Sequence, residues 1–143
     1  ALPKQQRALL VEATWHLARA RLVTVFTPFA SIANRLEREQ GKPVHPRHAE
    51  PCLAAVMRAA RHVPFRAVCF QQSLALHAML ARRGIASRMH YGLKRGEDGV
   101  LQAHVWTSVA GRTILGGAAS AGFVEVASFP PSDASHPTPT HAG

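Results

Sequence analysis

Two residues in the chain have the types needed for thiol-based catalysis, Cys69 and His104. Cys69 is predicted to begin a helix, where unpaired backbone N–H groups and the helix dipole favour a nucleophilic thiolate. The same N–H groups can hold the oxyanion of a tetrahedral intermediate. His104 lies in the middle of a predicted strand and could take the proton from Cys69 as a general base. Taken singly, the two could equally be a buried structural cysteine and a hydrogen-bonded strand histidine.

Hydrophobic periodicity predicts the elements that must position this pair. Apolar residues at three- and four-residue steps predict helices over about 9–24, 29–40, 51–62 and 69–83, and the segment 42–48 between the second and third is predicted to be a linker. After Gly84 the period changes to two, which predicts strands over 85–93, 100–109 and 112–115, with a short edge strand over 123–126. Helices followed by an antiparallel sheet define an α+β fold class.

Length and composition predict one domain and exclude several classes of protein. The 143 residues are 47% hydrophobic, and two cysteines cannot form the disulfide framework of a small secreted scaffold. No apolar run is long enough to span a membrane and no signal peptide is recognisable, so we expect a cytoplasmic protein with reduced thiols. The net charge of +9 favours an acidic partner. Because the basic residues are scattered without interleaved aromatics, nucleic acid is not the expected partner.

Neither a metal nor another cofactor is expected. The residues that invite a metal interpretation fit no zinc-ligand spacing; they are His45, His48, Cys52, His62 and Cys69.

Three stretches of the chain resemble the lasso-peptide leader peptidase family. They are the run Cys69-Phe-Gln-Gln-Ser-Leu-Ala-Leu76, the run Leu80-Ala-Arg-Arg-Gly-Ile85, and Ala103-His104-Val-Trp106. The resemblance implies a transglutaminase/papain-like core, with N-terminal helices followed by an antiparallel sheet that packs on the nucleophile helix. It implies an N-terminal helical segment over 1–46 and a cysteine protease core over 47–129. Composition predicts a disordered tail over 130–143.

The resemblance also implies a function. The protein would be a cysteine endopeptidase that removes the leader peptide from a ribosomally synthesised lasso peptide precursor, without a cofactor. A separate leader-recognition protein would deliver the precursor, and a lasso cyclase would then close the macrolactam. Two alternatives stay open: a non-catalytic leader-docking module on a degenerate protease fold, and a transglutaminase-type acyl transferase.

The third member of a catalytic triad is missing from its expected place. In the family an aspartate follows the histidine by about a dozen residues and would fix its tautomer. Counting across the turn at 110–111 places His104 opposite Gly117, or opposite Gly116 if the strand is bulged. Glu125 could reach in from the next strand, a backbone carbonyl or the amide of Gln71 or Gln72 could orient the ring, or the site is a dyad. We predict a Cys–His dyad with Glu125 as the candidate third member.

Three further residues are candidates for the pocket. Trp106 follows His104 by two residues on the same strand face, where it could shield an ion pair from water or pack in the core. Gln71 and Gln72 could donate to the oxyanion or lie on a solvated helix face.

Overall fold

The computed structural model describes residues 2–27, 31–32, 35–36, 41–64 and 68–129. Within these ranges the longer helices are α1 (Lys4–Phe26), α2 (Glu50–Ala60) and α3 (Cys69–Arg82). The strands that follow are β1 (Arg88–Arg95), β2 (Leu101–Val109), β3 (Arg112–Leu115) and β4 (Val124–Phe129). Helices come first and a four-stranded antiparallel sheet follows, which confirms the α+β prediction.

The three helices share one apolar core. Leu17 of α1, Val56 of α2 and Leu76 of α3 are fully buried in the same cluster. Burial of a side chain of this size contributes about 1.5–3 kcal/mol to folding. Val109 and Leu115 bring β2 and β3 into the same cluster. The helix that begins at Cys69 is therefore held on one side by helices and on the other by the sheet.

The segment predicted to be a linker over 42–48 is attached to the turn that follows α3. The backbone N–H of Lys42 donates to the Gly84 carbonyl over 2.9 Å, and Ala86 donates back to Lys42 over 2.9 Å. A 3-10 helix, Pro46–Ala49, follows. The segment connects the elements as predicted, and it also carries a single parallel bridge, Lys42 to Ile85, that sequence periodicity does not show. Most of the helix predicted over 29–40 lies outside the described residues, although 31–32 and 35–36 are helical.

The sheet has the strand order β3-β2-β1-β4. Ala110 and Gly111 both have positive φ, at 49° and 79°, and form the predicted tight turn between β2 and β3. The predicted edge strand is present, but it pairs with β1 at the opposite edge from β3. The tail predicted over 130–143 lies outside the described residues. Among the helices that the structure describes, none has the length and apolarity needed to cross a bilayer.

Strand β2 has two distinct faces. Val105, Thr107 and Val109 are buried, and Val105 and Val109 belong to the apolar clusters that also contain residues of α3. Alternation places His104 and Trp106 on the other face. Strand β3 pairs with β2 only from Thr107 to Val109, so the first half of β2 extends past the end of β3.

Glu12 joins α1 to the C-terminal end of α3. Arg83 donates from Nη2 to one carboxylate oxygen over 2.7 Å and from Nη1 to the other over 2.8 Å, and Arg82 adds a bond of 3.2 Å. Arg83 also donates to the Met79 carbonyl over 2.9 Å. The hydrogen bond from Arg83 is the main cause that holds the pKa of the Glu12 carboxyl below its ordinary value, although burial opposes it.

We expect Glu12→Gln to lower the free energy of unfolding by about 1–2 kcal/mol at neutral pH, because it removes charge-assisted bonds from a mostly buried carboxylate. A depressed pKa in the folded state means that this stabilisation is present above the unfolded pKa of about 4.3 and is lost as pH falls through the folded value. Urea unfolding measures this at pH 7 and pH 3. The difference in free energy of unfolding between wild type and Glu12→Gln should be smaller at pH 3. Glu97→Gln, at an exposed position, is the control. An equal difference in free energy of unfolding between Glu12→Gln and wild type at both pH values would contradict a stabilising role for the ion pair.

Candidate active site

Helix α3 begins at Cys69 without a capping side chain on the preceding residue. Val68, the N-cap residue, has extended geometry (φ −76°, ψ 166°) and a side chain without a hydrogen-bond acceptor. Its own backbone N–H donates to Oε1 of Gln71 over 3.2 Å. The first-turn N–H groups, including that of Cys69, are therefore left uncapped by Val68 and can stabilise a thiolate or an oxyanion.

Cys69 and His104 line the same surface depression. The depression has a volume of about 350 Å³, and its other lining residues are Val68, Phe70, Tyr91, Ala103 and Val105. Both candidate catalytic side chains are half-buried. Among the described residues, none forms a hydrogen bond with Sγ of Cys69. The two residues therefore share a concave site, and no hydrogen bond joins them in this structure.

The hydrogen bond of His104 defines which ring nitrogen can act as a base. Nε2 lies 2.9 Å from the carbonyl oxygen of Gly116. A carbonyl can only accept a hydrogen bond, so Nε2 carries the proton and Nδ1 holds the lone pair. Nδ1 is therefore the atom of His104 that can take a proton from a thiol.

The backbone of Gly116 lies where the family resemblance led us to expect a carboxylate. Gly116 has a φ of +78°, and a Cβ there would lie 2.9 Å from the Val105 carbonyl oxygen and 3.3 Å from Nε2 of His104. The positive φ disfavours a side chain at this position, and a Cβ this close to a backbone oxygen would require the main chain to shift. Of the alternatives left open by the sequence, the backbone carbonyl is the one that contacts His104. It orients the ring, but a neutral acceptor stabilises an imidazolium less than a carboxylate does.

Glu125 is not brought to His104. Because β4 pairs with β1, Glu125 lies opposite Gly92, and its carboxylate accepts a hydrogen bond from Nδ1 of His90. The other nitrogen of His90, Nε2, is 2.7 Å from the hydroxyl of Ser108. The assignment of Glu125 as a third member of the site is corrected accordingly: in this structure it orients a different histidine.

Trp106 stacks on the ring of His104. Its indole stacks with His104 at a centroid distance of 6.0 Å and with His90 at 5.6 Å. The ring of Phe123 adds a tilted contact to His104 at 5.4 Å. Room for the indole comes from Gly92, where a Cβ would lie 2.7 Å from two indole carbons. Trp106 does not line the depression itself.

Gly92 belongs to the pattern that resembles the leader peptidases, but neither it nor Phe123 was assigned a contact in the site. An isolated glycine within a strand pattern is a signal for such a close approach by a neighbour. Phe123 gave no comparable signal, because its contact with His104 depends on the path of the chain after β3.

The two glutamines also lie outside the depression. Gln71 is 3% exposed, and its amide nitrogen donates to the hydroxyl of Thr24 over 3.3 Å. Since its carbonyl oxygen accepts from Val68, both polar groups of Gln71 are already engaged. Gln71 therefore joins the beginning of α3 to α1 instead of facing the site. Gln72 is half-buried, and its backbone N–H makes the first helical bond to Val68 over 3.0 Å.

The second cysteine is buried more deeply than Cys69. Cys52 is 2% exposed in the helical core, and burial raises the pKa of its thiol, although Arg83 opposes this. We therefore expect iodoacetamide to alkylate Cys69 well before Cys52 in the native protein at neutral pH. Mass spectrometry of peptides from briefly treated protein measures both sites, with protein unfolded in urea as the control in which the two rates converge. Equal labelling of the native protein would show that Cys69 is not an accessible thiol.

Within the described ranges, no three histidine, cysteine or acidic side chains converge in a way that would hold a metal ion. The chemistry that can be derived is that of a thiol, an imidazole and a set of backbone donors.

Comparison with known proteins gives one family match. Searches found no matching curated protein and no matching solved structure. The sequence model of the Transglutaminase-like superfamily matches residues 13–128, which is most of the chain and includes both Cys69 and His104. The protein therefore belongs to the transglutaminase-like superfamily, which includes cysteine proteases and acyl transferases.

Proposed function

We propose that this protein is a cysteine endopeptidase that removes the leader peptide from a lasso peptide precursor. One observation carries the proposal: a cysteine at the beginning of a helix shares a depression with a histidine whose tautomer is set by a backbone carbonyl. Membership of the superfamily supports thiol-based acyl chemistry. The narrower substrate assignment is supported by the resemblance of the stretches around Cys69, Gly84 and His104 to the leader peptidases.

In the proposed reaction the proton of Cys69 moves to Nδ1 of His104, and the thiolate attacks the scissile carbonyl carbon. Backbone N–H groups at the beginning of α3 stabilise the oxyanion that forms. The tetrahedral intermediate collapses, the bond to nitrogen breaks, and the imidazolium gives its proton to the leaving amine of the core peptide. Water then hydrolyses the thioester to release the leader as a carboxylate. The bond from Nε2 to Gly116 keeps the ring in one orientation through both proton transfers.

The lining of the depression favours an apolar side chain next to the cleaved bond. Val68, Phe70, Tyr91 and Val105 surround Cys69 and His104 with mostly apolar surface. The net charge of +9 suits an acidic leader or an acidic recognition protein. The proposal therefore includes a separate leader-recognition protein and a lasso cyclase that uses the new amine, all acting in the cytoplasm, without a nucleic-acid partner.

Incubation of a candidate lasso precursor with the protein, with and without a recognition protein, tests the proposal. Mass spectrometry should show two fragments whose masses sum to the precursor plus one water. An intact precursor under both conditions would contradict the proposal. Selective alkylation of Cys69 over Cys52 in a separate sample confirms that the protein is folded.

A second function is favoured by two features of the site. The ring of His104 has a neutral carbonyl instead of a carboxylate as its partner, and Sγ of Cys69 has no hydrogen-bond partner among the described residues. These features suit a module that docks the leader without cutting it. Leader binding without cleavage, in the presence of the recognition protein, would favour that function. A product that carries an added amine instead of water would identify an acyl transferase.

A further inference from the structure

A second cavity, separate from the depression at Cys69, is lined by residues of α1, by residues of α3 and by the described residues 31–32 and 35–36. Its volume is about 160 Å³. Its apolar walls include Val23, Ile32, Leu36 and Leu74. A protein cavity of about 150 Å³ is large enough to hold a benzene molecule. The space therefore fits a small ring or a short aliphatic chain.

His16 is a buried polar residue that lines this cavity. It is 6% exposed, and among the described residues no group forms a hydrogen bond with its Nε2. The carboxylate of Glu12 lies 3.9 Å from Nε2, but Arg82 and Arg83 already engage that carboxylate. Because a buried imidazole nitrogen without a partner is costly, a ligand that bonds to it is favoured.

Several nitrogen groups line the described part of the cavity. Arg19 and Arg35 line it together with the imidazoles of His16 and His77, and no acidic side chain is among its described lining residues. Arg19 is half-buried one turn after His16 and forms no hydrogen bond or ion pair with another described residue. A carboxylate is the group that satisfies both an unpaired guanidinium and an imidazole N–H.

We infer that this cavity binds a small carboxylate with an apolar body the size of a benzene ring, held by Arg19 and by Nε2–H of His16. The apolar body contacts the walls formed by Val23 and Leu74. This site is independent of the proposed peptidase activity, because none of its residues lines the depression that contains Cys69. Its failure would leave the proposed function unaffected.

Isothermal titration with benzoate, at constant ionic strength, tests the inference. Benzamide is the matched neutral probe, since it has the same shape without the charge. We expect benzoate to bind and to raise the melting temperature, and benzamide to bind at least about tenfold more weakly. Equal affinity for the two probes, or no binding of benzoate, would overturn the inference.

Three variants distinguish binding in this cavity from association with the general basic surface. Arg19→Gln should weaken benzoate binding at least about tenfold, whereas the exposed Arg21→Gln on the same helix should not change it. Ala78→Leu should abolish binding by filling the space, with circular dichroism as the check of folding. If Ala78→Leu does not fold, the two arginine variants decide alone. Equal affinities in both arginine variants would show that benzoate associates with the charged surface instead.

Discussion

Cys69→Ala should abolish the proposed cleavage of the precursor while the protein remains folded. We expect the rate to fall at least about a thousandfold, because the variant has no nucleophile and residual catalysis can come only from binding and backbone donors. Cys69 is half-buried at the rim of the depression, so loss of its sulfur leaves the apolar core intact. The measurement is a time course of leader release by mass spectrometry, together with thermal unfolding of the same sample.

Cys52→Ala is the matched control for this experiment, and it should behave in the opposite way. Cys52 is 2% exposed within the helical core, so its truncation should cost about 1 kcal/mol of stability without loss of processing. Normal cleavage by Cys69→Ala would show that the thiol is not the nucleophile. Loss of activity in both variants with equal loss of stability would show that cleavage depends on folding alone.

His104→Ala should reduce the rate of processing by about 10²–10⁴-fold, the usual contribution of a positioned acid–base group. The variant removes the nitrogen that takes the thiol proton and the one that donates to Gly116. The measurement is the same time course of leader release, carried out across pH.

His90→Ala is the control for the histidine variant. Both rings stack on Trp106, but only His104 lines the depression with Cys69. His90→Ala removes the contacts to Glu125 and Ser108, so it tests whether the sheet face as a whole matters. Equal loss of activity in the two variants would point to a structural effect transmitted through Trp106 and would contradict a specific role for His104.

The local elements could be predicted from the sequence because each has a periodic pattern and a recognisable end. Helix α3 begins at Cys69 and is followed by Gly84 at φ 68°, as the apolar stripe and the glycine indicated. The turn at Ala110 and Gly111 was predicted for the same reason. Such features depend only on neighbouring residues.

The contacts of the site depend on distant residues, and prediction was weaker there. Glu125 was assigned to His104 because no sequence pattern shows that β4 pairs with β1. Counting across the turn placed His104 opposite Gly117, or opposite Gly116 with a bulge, and could not show that the main-chain carbonyl of Gly116 would be the partner. The bulge between Thr107 and Ser108 adds its extra residue to β3, which shifts the register away from Gly116, the opposite of the shift that the count considered. Strand order and bulges are set by packing over the whole sheet, not by local propensity.

The central claim is that Cys69 and His104 act as a pair, and the rate of Cys69 alkylation tests it without any substrate. We expect native wild type and native His90→Ala to react with iodoacetamide at neutral pH much faster than native His104→Ala, with the three rates equal in protein unfolded in urea. Identical rates for native wild type and native His104→Ala would contradict the pairing and with it the proposed peptidase mechanism.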